Sequence, residues 1–290
     1  MSEITLQATG SVARRQALSR ASRWILLAAS LLGVAVLVIL TTVTIIDGWP
    51  RLSLDLITNY PSRRAADAGL RSSLIGSGFI MATTVLLSIP ISIGTAIWIE
   101  EFAPKNRALT FVKLNLANLA GVPSIIYGIL GLAIFSRTLD LGPSILAGSL
   151  TLSLMIMPMT VIASQEAIRQ VPSSIRDASL ALGATHWQTV QNHVLPAAAP
   201  GIITGLILSI SRAAGETAAL IMIGAFTFIA FDNTSLLDDF TTVPIQIYNW
   251  TIRAQTDFQT NAAAAIIVLM VAVLTMNLVA AIIRERFRRN

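Results

Sequence analysis

The chain has 290 residues, 54% hydrophobic and 12% charged, with a mean hydropathy of +0.72 and a formal net charge of +5. That apolar content is more than a soluble domain of this size needs, and so modest a charge gives no support to nucleic-acid binding. The absence of cysteine excludes disulfide frameworks, thiolate metal sites and thiol catalysis.

About 20 apolar residues cross a bilayer, and stretches of that length recur along the chain. The fold class read from them is an all-α membrane protein with six spans. The polar start carries Arg14, Arg15, Arg20 and Arg23, next to an apolar run over 24–46. That run is too long for a secretory signal and reads as a retained helix. A polar loop over 47–72 follows, then a second span over 73–99 containing Pro90. Glu100 and Glu101 fall in a charged turn with Lys105 and Arg107 and read as solvated.

The third span, 109–135, carries Lys113, Asn115 and Asn118, then Gly121, Pro123, Gly128 and Gly131. Lipid tolerates such backbone only under cover of protein or a water-filled cavity, which predicts a position at the bundle centre. The fourth span covers 144–163 with Pro158, the fifth 200–230, and the sixth 261–283, closed by Arg284, Arg286, Arg288 and Arg289. The segments 164–199 and 231–260 are polar. With six spans, thirteen basic residues fall on the side holding both termini and the 164–199 loop, against six on the other side. The positive-inside rule then puts both termini in the cytoplasm.

Within the fifth span, residues 209–220 read S-I-S-R-A-A-G-E-T-A-A-L. An unpaired charge at mid-bilayer costs about 2.5–3.5 kcal/mol, so Arg212 and Glu216 are expected to face the bundle interior. Four apart on a helix, they share a face and can interact. They are read as an ion-handling pair. A structural ion pair is the simpler alternative. Thr217, Ser209, Ser211, Asn115 and Asn118 are further candidates for lining a substrate path, although each is also a common helix-packing residue.

The 164–199 loop carries helix signals of its own. Ser174-Ile175-Arg176-Asp177 has capping-box form, Gly183 stands at a helix C-cap position, and Thr185-His186-Trp187-Gln188 repeats the capping pattern. Pro196 is expected to end the second helix. Helices of two or three turns are unstable alone in water, so a partner surface is implied. Leu180, Leu182 and Trp187 offer the apolar contact. No Gly-Lys dipeptide occurs, so the phosphate-binding loop of ATPases is absent.

Asp177-Ala178-Ser179, three residues, Gly183, nine residues, His193, one residue, then Leu195-Pro196 resembles the EAA loop of ATP-binding-cassette importer permeases. Residues 118–128 (N-L-A-G-V-P-S-I-I-Y-G), 211–218 (S-R-A-A-G-E-T-A) and 246–250 (Q-I-Y-N-W) further resemble the PstA family of phosphate-transporter permeases. That resemblance implies a type I importer permease with a core at 71–290. Residues 1–70 supply a cytoplasmic N-terminal segment, the first span and a periplasmic loop. It implies that Asp177, Ala178, Ser179, Leu180, Leu182, Gly183, Trp187, Leu195 and Pro196 couple the chain to an ATPase. It implies phosphate as cargo on a path that includes Arg212, in a bacterial inner membrane. The implied partners are a homologous PstC-like permease, two cytoplasmic PstB-like ATP-binding subunits and an extracytoplasmic PstS-like phosphate-binding protein. ATP and magnesium would be bound by those partners, and no cofactor by this chain. A homodimeric permease for molybdate or sulfate, and an ATP-independent channel or carrier, remain the alternatives.

Overall fold

The computed structural model describes residues 11–225 and 228–289. The first ten residues of the polar N-terminal segment, two residues of the expected fifth span (226 and 227) and the side chains of Arg288 and Arg289 lie outside that description.

Helix α1 (Ser11–Gly48) lies along the outside of the molecule and packs mainly on the last helix among the described residues, where Gly48 sits against the backbone of Ala263 and Ala264. The expected polar loop over 47–72 is instead folded. It contains α2 (Leu54–Thr58), capped by the Ser53 hydroxyl, and buries Leu56, Ala68 and Leu70 against Trp250 and Phe258. Arg51 fastens it, donating to Asn261 Oδ1 at 3.0 Å and to the carbonyl of Ala68 at 3.1 Å.

Helix α3 (Arg71–Ile97) passes through Pro90 and widens into a π-helical turn, Trp98–Phe102. The expected third span is broken. Helix α4 (Arg107–Ala120) and α5 (Ser124–Gly131) meet at an angle of 101° across Gly121-Val122-Pro123. Pro123 has no backbone N–H to continue the ladder of α4, and its fixed φ of −58° starts a new helix. Counted as one bent span, the pair brings the number of candidate spans to six among the described residues.

The centre of the bundle belongs to α6 (Ile145–Arg169), which corrects the expectation for the third span. Two thirds of its apolar window is buried (67%), against 22% for α3. Small and hydroxylated residues explain why, since in a bilayer helices associate by close approach and hydrogen bonds. Ser149 donates to the carbonyl of Ile80, and Ser153 and Ser88 both donate to that of Thr84, sewing α6 to α3 and α3 to itself. Lys113, Asn115 and Asn118, by contrast, sit on α4, most of whose residues are exposed or half-buried.

Two short helices, α7 (Ser173–Ala181) and α8 (His186–Thr189), follow α6. Helix α8 runs through a π turn (Val190–Val194) directly into α9 (Leu195–Ala214). Pro196 therefore does not end a helix. It stands at the start of α9, directly after the π turn. On the other face of α6, Gly205 brings α9 so close that a Cβ there would meet Ala163 Cβ at 2.5 Å.

The fifth span also departs from expectation. It ends at Ala214 rather than near residue 230, and a short α10 (Ala218–Ile223) follows a break at Gly215-Glu216-Thr217. Gly224, at φ +99°, stops α10, and the described residues between 228 and 242 form no helix before α11 (Val243–Thr251). Helix α12 (Asp257–Arg289) closes the bundle against α1, α9 and α11.

Candidate functional site

The break between α9 and α10 changes the geometry of the two membrane-depth charges. Arg212 lies in the last turn of α9 and Glu216 just outside α10, so they do not share one helix face. The ion pair read from their spacing is not formed. Each charge instead complements the helix end nearest to it: cations are favoured at C-termini and carboxylates beside N-terminal N–H groups. Glu216 Oε1 accepts from the backbone N–H of Ala219 at 3.1 Å. The Arg212 guanidinium is exposed, and among the described residues its one hydrogen bond is Nη1 to the soft thioether of Met159, at 3.8 Å.

Tyr127 joins this site and was not singled out from sequence. Buried on α5, it donates its hydroxyl to the carbonyl of Leu119 at 2.9 Å, bracing the bend between α4 and α5. Only its place in the N-L-A-G-V-P-S-I-I-Y-G stretch could have flagged it.

The remaining path candidates separate. Ser209 is buried, with its hydroxyl on the carbonyl of Gly205 in its own helix. Ser211 hydrogen-bonds Asn277 Oδ1 of α12 at 2.7 Å and so locks two helices. Thr217 is half-buried in the break, its hydroxyl 3.4 Å from the carbonyl of Gly215. Asn115 and Asn118 are exposed on α4, Asn115 turning back to the carbonyl of Phe111.

The second cluster is the α7–α8 loop, built largely as its local signals predicted. Gly183 (φ +85°) lets the chain reverse after α7, with its N–H on the carbonyl of Leu180 and the N–H of Ala184 on that of Ser179. The capping box of α8 is complete: Gln188 Oε1 accepts from the Thr185 N–H at 2.8 Å, and Thr185 Oγ1 from the Gln188 N–H. Ser174 does not cap α7. Pro172 stands at the N-cap two residues sooner, without a side-chain cap. Ser179 is buried, its hydroxyl 2.9 Å from that of Thr189, which ties α7 to α8.

Asp177, Ala178, Leu180, Gly183 and Trp187 are exposed, Leu182 at 89% of its full surface. Pro196 is exposed too, and Leu195 half-buried against α9's neighbours. His193 points outward from the π turn, so a polar side chain there meets no apolar pocket.

The loop is held by groups that the sequence reading left in solvent. Glu101 is only 4% exposed and pairs with Arg176 at 2.6 Å. The same guanidinium donates to the carbonyls of Val171 and Ile168, at 2.7 and 3.0 Å, and so caps the end of α6. His186 reaches the carbonyl of Glu101 at 2.8 Å and stands edge-on to Phe102. Glu100 binds Lys113 of α4 at 2.8 Å and is also hydrogen-bonded by Gln165 of α6. Within the expected solvated turn, Glu100 and Glu101 thus form a largely buried junction of α3, α4, α6, α7 and α8, while Lys105 and Arg107 are exposed. Desolvating the two carboxylates is tolerable because each is paired and hydrogen-bonded.

Residues 88–289 match the family of binding-protein-dependent transport system inner membrane components, and the chain belongs to it. Over 258 residues it is 35% identical to the probable ABC transporter permease protein YqgI of Bacillus subtilis, covering 85% of this chain and 88% of that one. It is 32% identical over 222 residues to the phosphate transport system permease protein PstA 1 of Mycobacterium tuberculosis (strain CDC 1551 / Oshkosh), covering 74% and 70%. The fold is similar to that of a bacterial alginate ABC transporter in complex with an alginate pentasaccharide-bound periplasmic protein, with a TM-score of 0.63 and 16% identity over 92% of this chain and 96% of that one. The chain is a multi-pass membrane permease subunit of an ABC importer. Its family is a membrane component of transporters and not a catalytic domain.

Proposed function

We propose that this chain forms half of the path by which inorganic phosphate enters a bacterial cell across the inner membrane. The partners are a homologous permease, two cytoplasmic subunits that hydrolyse ATP, and an extracytoplasmic phosphate-binding protein. Both termini and the α7–α8 loop face the cytoplasm, in keeping with the excess of basic residues on that side. The exposed residues Asp177, Ala178, Leu180, Leu182, Gly183 and Trp187 carry the docking surface for the ATPase. Ser179, Leu195 and Pro196 shape it from behind.

The observation that carries the phosphate reading is the free guanidinium of Arg212. It sits at the break of a spanning helix, exposed and without a carboxylate partner among the described residues. A planar donor fork of that kind matches phosphate oxygens, and a second cation from the homologous permease would complete the charge balance. Thr217, Asn115 and Asn118 have the exposure to line the path. Ser209 and Ser211 support it through helix packing. The relative named a phosphate transport permease points the same way.

The test is phosphate uptake into vesicles carrying the assembled transporter. A hydrogen bond to a charged group contributes about 1.5–3 kcal/mol, so Arg212→Gln should lower uptake roughly 10- to 100-fold. Arg212→Lys should fall between, since it keeps the charge and loses the fork. Unchanged uptake in Arg212→Gln, with assembly intact, would remove the basis of the reading.

A further inference from the structure

Away from the path, a cleft of about 520 Å³ opens between the π turn of α3 and the first turns of α4. Its volume lies within the range of pockets that hold small organic ligands, about 300–1,000 Å³. Three cations line it, Lys105, Arg107 and Lys113, with a single carboxylate, Glu100. That carboxylate is engaged, held by Lys113 at 2.8 Å and by Gln165. Lys105 and Arg107 are exposed at the mouth and have no carboxylate partner among the described residues. Thr110, one turn along α4 from Arg107, adds a hydroxyl on the same side. The floor is apolar, formed by Ile99 and Leu109, both nearly buried.

We propose that this cleft binds a phosphate group, presented either by an anionic lipid headgroup or by free inorganic phosphate. Two unpaired cations, one of them a guanidinium, supply the charge and the donor geometry for a phosphate. The floor accepts the glycerol portion of a lipid, and the outward apolar side chains Phe111 and Leu114 of α4 continue into the lipid phase. Basic pockets between helices at a membrane surface hold phospholipid headgroups by the same combination. The site stands apart from Arg212. The residues of α4 that line the cleft, Arg107 to Lys113, lie about 9–18 Å along the helix from the Leu119 carbonyl that Tyr127 holds.

The experiment is native mass spectrometry of the full chain in detergent, titrated with phosphatidylglycerol and, separately, with phosphatidylcholine. A parallel arm titrates inorganic phosphate by calorimetry on the Arg212→Gln chain, so that the transport path does not contribute. Phosphatidylglycerol retained over phosphatidylcholine assigns the lipid source, and saturable phosphate binding assigns the free ion. In whichever arm binds, Lys105→Gln/Arg107→Gln should weaken affinity about 30-fold, and each single variant part of that. Both side chains are exposed, so the thermal stability of the chain should not move. Equal retention of the two lipids together with no phosphate binding overturns the proposal, as does binding that is indifferent to the double variant.

Discussion

Glu101 and Arg176, 75 residues apart in sequence, meet through three hydrogen bonds, from Nε to both carboxylate oxygens and from Nη2 to Oε1 at 2.6 Å. The pair fixes α7 to the end of α3, and Glu100, the adjacent residue, fixes α3 to α4 and α6. Two neighbouring carboxylates therefore link α7 to three spanning elements, α3, α4 and α6.

Removing one partner of a largely buried pair leaves the other charge uncompensated. Glu101→Gln should therefore loosen the α7–α8 loop by about 2–3 kcal/mol, somewhat less than a fully buried pair because Arg176 keeps some exposure. Hydrogen exchange of the α7 and α8 amides would report it, with faster exchange there and little change in α6. Transport coupling should suffer along with it: ATP hydrolysed per phosphate imported should rise. The exchanged pair, Glu101→Arg with Arg176→Glu, should recover part of the loss if the contact itself matters.

Glu216 separates two accounts of the break. As an N-terminal cap of α10 it needs only an acceptor oxygen, which Gln retains. Glu216→Gln should therefore keep uptake within about threefold of the parent, whereas Glu216→Ala should cost about 1 kcal/mol of local stability and lower the melting temperature. If Glu216→Gln abolished uptake as fully as Arg212→Gln, the carboxylate charge itself would be required and capping would not suffice.

The irregular stretch before α11 is tied to the start of α3 by Asp232. Hydrogen bonds from the Arg71 guanidinium hold the Asp232 carboxyl below the ordinary aspartate range. A depressed acid stabilises the fold at pH values above its unfolded pKa of 3.8, and that contribution is lost as pH falls through the lower folded value. The contact should accordingly persist at pH 4 and dissolve only in stronger acid. Carboxyl carbon NMR of Asp232 would read the midpoint, and Arg71→Gln should move it upward.

How much of this was visible in the sequence depended on whether the signal was local. Gly183 and the Thr185–Gln188 box act within a few residues, and both motifs are present in the structure. The spans were legible because membrane insertion demands long apolar runs. The break at 215–217 was hidden, because Ala213, Ala214, Ala218 and Ala219 read as continuous helix, with nothing between them that a helix must reject. The burial of Glu100 and Glu101 depended on Lys113, Gln165 and Arg176, which only the folded chain brings together. The central place of α6 was likewise masked, since its serines and threonines are hydrophilic on paper yet bond to neighbouring carbonyls.

Leu182 decides whether the α7–α8 loop is a docking surface. Its side chain follows α7 as the C-cap residue and is almost fully bare, and Trp187, 54% exposed, begins the next helix. Burying a leucine fully against a partner contributes about 1.5–3 kcal/mol, equivalent to roughly 10- to 100-fold in affinity. Leu182→Asp should thus weaken co-purification of the ATP-binding subunits by at least about tenfold. Because the residue touches little of its own chain, insertion and melting temperature should be unchanged. Trp187→Asp should act in the same direction but also loosen the contact with Phe102, and so register in both measurements. Undiminished recovery of the ATP-binding subunits with both variants would place the docking surface elsewhere and leave α7 and α8 as a brace for the ends of α3 and α6.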